Sequence, residues 1–297
     1  MKLAQKIAVN FLRAKLNVTA VISKQKAAEQ AFRLFCTPLR KTRKKKPPIF
    51  NKAEDLSFDV DGVTISGNRW NHPQSKKCLI VHGFESSAYN FERYISILIR
   101  DGYEVLAFDA PAHGRSSGKQ ITLPLYVKTL AEINQQFGPI NFFIAHSFGG
   151  LALSHFLEST RDSVDRRIVF IAPATETTSA IDSFFKFLQL NGQVREKFDT
   201  LIQDIGGKPA AYYSIRRAMR EIKSPVLWVH DTDDEMTPVS DALRIKEDNH
   251  PNIEFYITSG LGHRRIYRDN NVTRKVMNFL KNTVDTPTTH GQGEVLS

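Results

Sequence analysis

The sequence predicts an α/β protein: a mostly parallel, doubly wound sheet with a small helical lid and an N-terminal helical appendage. Three observations carry this expectation. Short continuous apolar runs, such as Cys78–Val81, Ile140–Ile144 and Arg167–Ala172, alternate with segments of helical period, as strands buried on both faces do. Polar clusters follow the runs, where an open parallel sheet binds its ligands. The alternation is interrupted from about Glu176 to Lys223 by an aromatic helical stretch, placed where a lid would be inserted.

Length and composition bound the reading. The 297 residues suit one large domain with an appendage. No apolar run reaches the roughly 18 to 20 residues of a membrane span. Cys36 and Cys78 make no disulfide framework, so a reducing, cytoplasmic setting is expected. Zinc-type His and Cys spacing is absent, and neither metal nor cofactor is expected. Charge is uneven. Residues 1–46 hold thirteen Lys or Arg and one acid, Glu29, for a net +12, whereas the rest of the chain is about −2.

Residues 1–50 read as a basic amphipathic appendage and linker. Leu3, Ile7, Phe11 and Leu12 recur at three or four residues, as do Ala28, Ala31, Phe32 and Phe35. Residues 17–19 read as the break between two helices. Pro38 ends the second helix, and Arg40 to Pro48 reads as an extended charged linker. Two uses stay open: packing on the domain with a solvated basic face, or peripheral docking of residues 1–46 on an anionic membrane, such as the inner face of a cell membrane. No nucleic-acid motif accompanies the charge, so no nucleic-acid partner is expected.

The domain is read over 51–283. Leu56, Phe58 and Val60 alternate, Asp61-Gly62 turns the chain and Val63 to Trp70 returns it as a hairpin. Strands and helices then alternate. Helices are expected near Phe91–Arg100, Leu123–Phe137 and Gly150–Leu157, and strands at Tyr103–Phe108 and Arg167–Ala172. After the lid, taken as 176–223, come the strand Pro225–His230, the helix Val239–Lys246, the strand Ile253–Ile257 and the helix Asn271–Asn282. Residues 284–297, rich in Pro, Thr and Gly, are expected to be disordered.

The most informative segment is Ala145-His146-Ser147-Phe148-Gly149, between an apolar run and a helix. A serine on a sharp strand-to-helix turn is raised into a cleft, and the turn needs small residues two before and two after it. Ala145 stands where glycine is usual. Further polar clusters end other strands: His82-Gly83-Phe84, Asp109 to Gly118, Asp231 to Asp234, and His263 after Gly262. Asp231, Asp233 and Asp234 compete as the acid of a Ser, acid, His order.

Over about residues 52–283 these motifs resemble the α/β-hydrolase-fold serine hydrolases, and among them bacterial esterase and lysophospholipase-like members with a short helical lid. The resemblance implies a triad of Ser147, Asp234 and His263, with Asp234 chosen because the family places its acid four residues before a proline, here Pro238. It implies an oxyanion hole from the backbone N–H groups of Phe148 and Phe84. His230-Asp231 departs from the commoner His-Gly. Glu85, His146, Phe184 and Phe185 are candidate pocket residues, although Phe184, Phe185 and Phe187 are first the apolar face of a lid helix. His82 and His113 read as loop organisers and His230 as core.

The function expected is cleavage of a carboxylic ester, lipid-like or of medium chain, through an acyl-enzyme. Thioester, amide or carbon–carbon bond hydrolysis could run on the same residues. A hydrolase-fold binding or scaffold protein with little turnover is the competing class, and a third makes residues 1–46 a tether with the domain as cargo.

Overall fold

The structure, a computed structural model, describes residues 3–39, 45–160 and 166–281, with side chains from residue 9 onward. The expected tail and residues 40–44 of the linker lie outside the described residues, as do the side chains of Leu3 and Ile7. In chain order the elements are α1 (Leu3–Ile22), α2 (Lys24–Phe35), β1 (Glu54–Val60), β2 (Val63–Trp70), β3 (Lys77–Val81), α3 (Glu92–Arg100) and β4 (Glu104–Phe108). Next come α4 (Leu123–Phe137), β5 (Phe142–His146), α5 (Phe148–Glu158) and β6 (Arg167–Ile171), then three helices in the stretch read as a lid, α6 (Thr177–Leu188), α7 (Gly192–Gly206) and α8 (Ile215–Ala218). The chain closes with β7 (Val226–Asp231), α9 (Val239–Glu247), β8 (Ile253–Thr258), α10 (Gly262–Arg265) and α11 (Asn270–Lys281).

The eight strands form one sheet in the order β1-β2-β4-β3-β5-β6-β7-β8. β1 and β2 pair antiparallel, as do β2 and β4, and every later pair is parallel. Alternate side chains of each strand enter opposite cores. Leu79, Phe143, Phe170 and Trp228 pack with Tyr126, Leu151 and Ile245 from the helices of one face. Cys78, Ile80, Ile144 and Leu227 pack with Leu98, Val272 and Leu280 on the other. Because both faces are covered, the middles of β3 to β7 are apolar, with charged Lys77, Glu104 and Arg167 only at amino ends and His146, His230 and Asp231 toward the carboxyl ends, where the site lies.

A third core lies outside the sheet. Ala27, Ala28 and Ala31 of α2 pack against Ile181, Phe185, Val194 and Phe198 of α6 and α7. Their small side chains let α2 approach α7 closely. Phe35 meets Phe184 and Phe198 edge-on at 5.1 and 5.7 Å. α2 thus shares one cap with α6 and α7, so the inner side of the appendage packs on the domain.

Two sequence expectations are corrected here. The break between the first helices falls at Ser23, not at residues 17–19. Asn17 and Thr19 bond back to the carbonyls of Arg13 and Lys15, so they ride inside the helix. Ser23 starts α2 by accepting the N–H of Lys26 on its hydroxyl, 3.2 Å away. The buried side of α1 carries Leu16 and Ala20, whereas Phe11 points outward.

Candidate active site

Ser147 sits between β5 and α5 with φ 55° and ψ −127°. This left-handed strain is unusual for a residue with a Cβ and belongs to a turn that aims a side chain out of the sheet. The turn is held from both sides: the Ser147 N–H donates to Ile171 O, and the Ala174 N–H donates to Ser147 O. Ala145 is fully buried in β5, so a methyl group fits where glycine is usual. A Cβ on Gly149 would fall 2.5 Å from the carbonyl oxygen of His82, so that position admits no side chain.

His263, at the start of α10, brings Nε2 to 3.0 Å from Ser147 Oγ. Its Nδ1 donates to Asp234 Oδ2 at 2.8 Å. That bond fixes the tautomer and leaves Nε2 free to accept the serine proton. Asp234 Oδ1 accepts the N–H groups of Met236 and Thr237, and Oδ2 also accepts the Thr237 hydroxyl at 2.8 Å. Burial pushes this carboxyl up, but the bonds from His263 and Thr237 prevail and hold it below its usual value. The structure therefore brings Ser147, His263 and Asp234 into one hydrogen-bonded line. Ser147 keeps 9% and His263 8% of their surface exposed, so both are nearly buried.

The other acids have different partners. Asp233 accepts the Gly260 N–H. Asp231, buried at the end of β7, accepts from Leu261 N, Gly262 N and the Thr258 hydroxyl. Burial raises its carboxyl too, and these bonds, with that from the Asp233 N–H, outweigh the burial and lower it. Asp231 is thus a clamp on the loop that carries His263. Sequence reasoning missed this role, although the departure from His-Gly at this place marked it. Thr237 was also missed; its spacing three residues after an aspartate is an Asx-turn signal.

The histidines near the site are positioned by their bonds. His82 Nε2 accepts from Ala110 N, so its Nδ1 carries the proton toward Gly83 O. His113 Nε2 accepts from Glu85 N, and its Nδ1 donates to Pro111 O. Burial holds both down to about 4. They brace the 82–85 loop, as expected of loop organisers. Glu85 itself has φ 52°, and its carboxylate accepts the Leu39 N–H. The candidate pocket residue Glu85 therefore ties the appendage to the loop. His146 is a correction: instead of lining a pocket it lies buried behind the elbow. It donates from Nε2 to His263 O at 3.1 Å and packs on Tyr267, because a side chain just before the nucleophile falls on the inner side of the turn. Phe184 and Phe185 lie where α6 meets α2 and α7. Their described ring contacts are with Phe35, Phe198 and each other, since α2 supplies the apolar cover for α6. Phe84 and Phe148 flank the elbow with ring centroids 6.3 Å apart. Neither backbone N–H has an acceptor among the described residues.

A nucleophile elbow at the carboxyl edge of a mostly parallel eight-stranded sheet, with a histidine and a carboxylate in line, defines the class: an α/β-hydrolase fold with a serine at its centre. The comparisons agree. The family model described as serine aminopeptidase, S33 matches residues 72–206. A human serine hydrolase-like protein is 31% identical over 124 residues, 40% of this chain and 61% of that protein. The chain thus spans about three fifths of the length of that curated relative. A putative chloroplastic methylesterase 15 of Arabidopsis thaliana is 27% identical over 70% of this chain and 48% of its own length. The esterase Pf2001 of Pyrococcus furiosus superposes with a TM-score of 0.64 at 22% identity, covering 83% of this chain and 97% of its own. The fold is that of the α/β hydrolases, and the matched segment is similar to serine hydrolases.

Proposed function

We propose that this protein cleaves carboxylic esters through an acyl-enzyme, with Ser147 as nucleophile, His263 as base and acid, and Asp234 as its orienting carboxylate. The single observation that carries the reading is the line of hydrogen bonds from Ser147 Oγ through His263 to Asp234. As Oγ attacks the ester carbonyl carbon, His263 Nε2 takes the serine proton. Asp234 stabilises the imidazolium. The oxyanion of the tetrahedral intermediate meets the N–H groups of Phe148, at a helix N-terminus, and Phe84. Collapse breaks the ester C–O bond, and Nε2 returns the proton to the leaving alcohol. A water, deprotonated by the same nitrogen, then frees the acid and restores Ser147.

The rings of Phe84 and Phe148 beside the elbow support a medium-chain or lipid-like acyl group. The esterase Pf2001 and the putative methylesterase among the similar proteins favour esters. The aminopeptidase description of the matching family model favours amides as the second reading. Turnover of p-nitrophenyl esters of increasing acyl length, beside aminoacyl p-nitroanilides, tests both. Ester hydrolysis peaking at medium chain length and reduced about 10⁴-fold or more by Ser147→Ala is the expected result. Faster anilide turnover would move the assignment to amides.

A further inference from the structure

The outer face of α1 is apolar and has no cover among the described residues. The helix buries Leu16 and Ala20 on its inner side, yet Phe11, Val18, Val21 and Ile22 are 71, 61, 83 and 80% exposed. Their spacing puts them on one stripe, with exposed Ala14 and Lys15 on the same side. A helix at the surface of a globular protein ordinarily turns polar residues outward. This one is apolar on both sides, and among the described residues no helix is long and apolar enough to cross a membrane. Its own charges are Lys6, Arg13 and Lys15, without an acid, and residues 1–46 as a whole are +12.

We propose that the outer face of α1 docks on an anionic lipid bilayer. The helix would lie in the interface with its apolar stripe among the acyl chains and the exposed Lys15 on the headgroups. Charge decides between this partner and a second copy: two such faces would press together two segments of +12, each holding one acid, whereas an anionic surface neutralises them. Because α2 packs on α6 and α7, docking would also fix the cap relative to the surface. The inference goes beyond the hydrolase reading and holds whether or not Ser147 turns over esters.

The test is co-sedimentation of the full chain with vesicles of phosphatidylcholine, alone or with about 30% phosphatidylglycerol. The variants are Val18→Asp/Ile22→Asp and Phe11→Ser, with Leu243→Asp, another exposed apolar site, as control. The expected result is binding to anionic vesicles by wild type and Leu243→Asp, about tenfold weaker on neutral vesicles or at high salt. The double variant should lose about tenfold or more, and Phe11→Ser should lose less, both with unchanged melting temperature. Three results would each overturn the proposal: equal binding by the double variant and wild type, equal binding to neutral and anionic vesicles, or no vesicle binding. In the last case, light scattering showing a dimer that Val18→Asp/Ile22→Asp dissolves would assign the face to a second copy.

Discussion

Ser147 occupies a backbone conformation that costs of order 1–3 kcal/mol for a residue with a Cβ, and its neighbours over-determine it. Gly149 has no room for a side chain beside the His82 carbonyl, so Gly149→Ala is expected to destabilise the protein or distort the elbow. Thermal melting with a labelling assay would register either effect. The elbow geometry at Ser147 was legible in the sequence because steric demands at two positions mark it locally. His263 stood out through strand order, whereas Asp234 was set apart from Asp231 and Asp233 only by the resemblance, through its spacing to Pro238. The role of Asp231 was not legible, because its partners lie near residues 258–262 and only the folded chain brings them to it. We predict that Asp231→Asn lowers kcat about 10- to 100-fold with little change in KM, because a side-chain amide cannot replace all the acceptors that hold the His263 loop. Steady-state kinetics that showed an unchanged kcat would remove the clamp role.

At the scale of elements, most helices and strands followed from periodicity, since α4 and β3 to β7 are bounded by turn residues and buried as continuous runs. The first two helices were harder. Asn17 and Thr19 looked like breakers, but both hydroxyl and amide found carbonyls within the helix. What α2 packs on was also hidden, because Ala27, Ala28 and Ala31 carry too little hydrophobic signal to name a partner. Those alanines set the distance between α2 and α7, so Ala31→Leu is expected to overpack the cap and cost about 1–3 kcal/mol. Chemical denaturation would measure it. A neutral result would mean that the two helices pack loosely and that the cap is not one unit.

For the whole molecule, acid sensitivity follows from its buried neutral histidines. Burial lowers His82 and His113 from 6.5 to about 4, and His146 to about 3, with the nearby His263 adding to the last. Below pH 6.5 the unfolded chain takes up these protons while the folded chain does not, so stability is full above 6.5 and falls as the pH drops toward 4. This window lies above that of Asp234, whose lowered carboxyl stabilises the fold throughout it and loses that contribution only in more acid solution. Melting temperature measured from pH 7.5 to 4.5 should decline across the histidine window, and His113→Asn should flatten part of the decline. The architecture itself was readable from the alternation of apolar strands with helices, and the substrate was not, because a pocket's shape arises from the cap as a whole. The central claim is that Ser147 is an activated nucleophile. The most direct measurement is intact mass after treatment with a fluorophosphonate. A single adduct on the folded wild type, absent from Ser147→Ala, is the predicted result. Folded wild type without an adduct, or a Ser147→Ala chain that still acquires one, would contradict it.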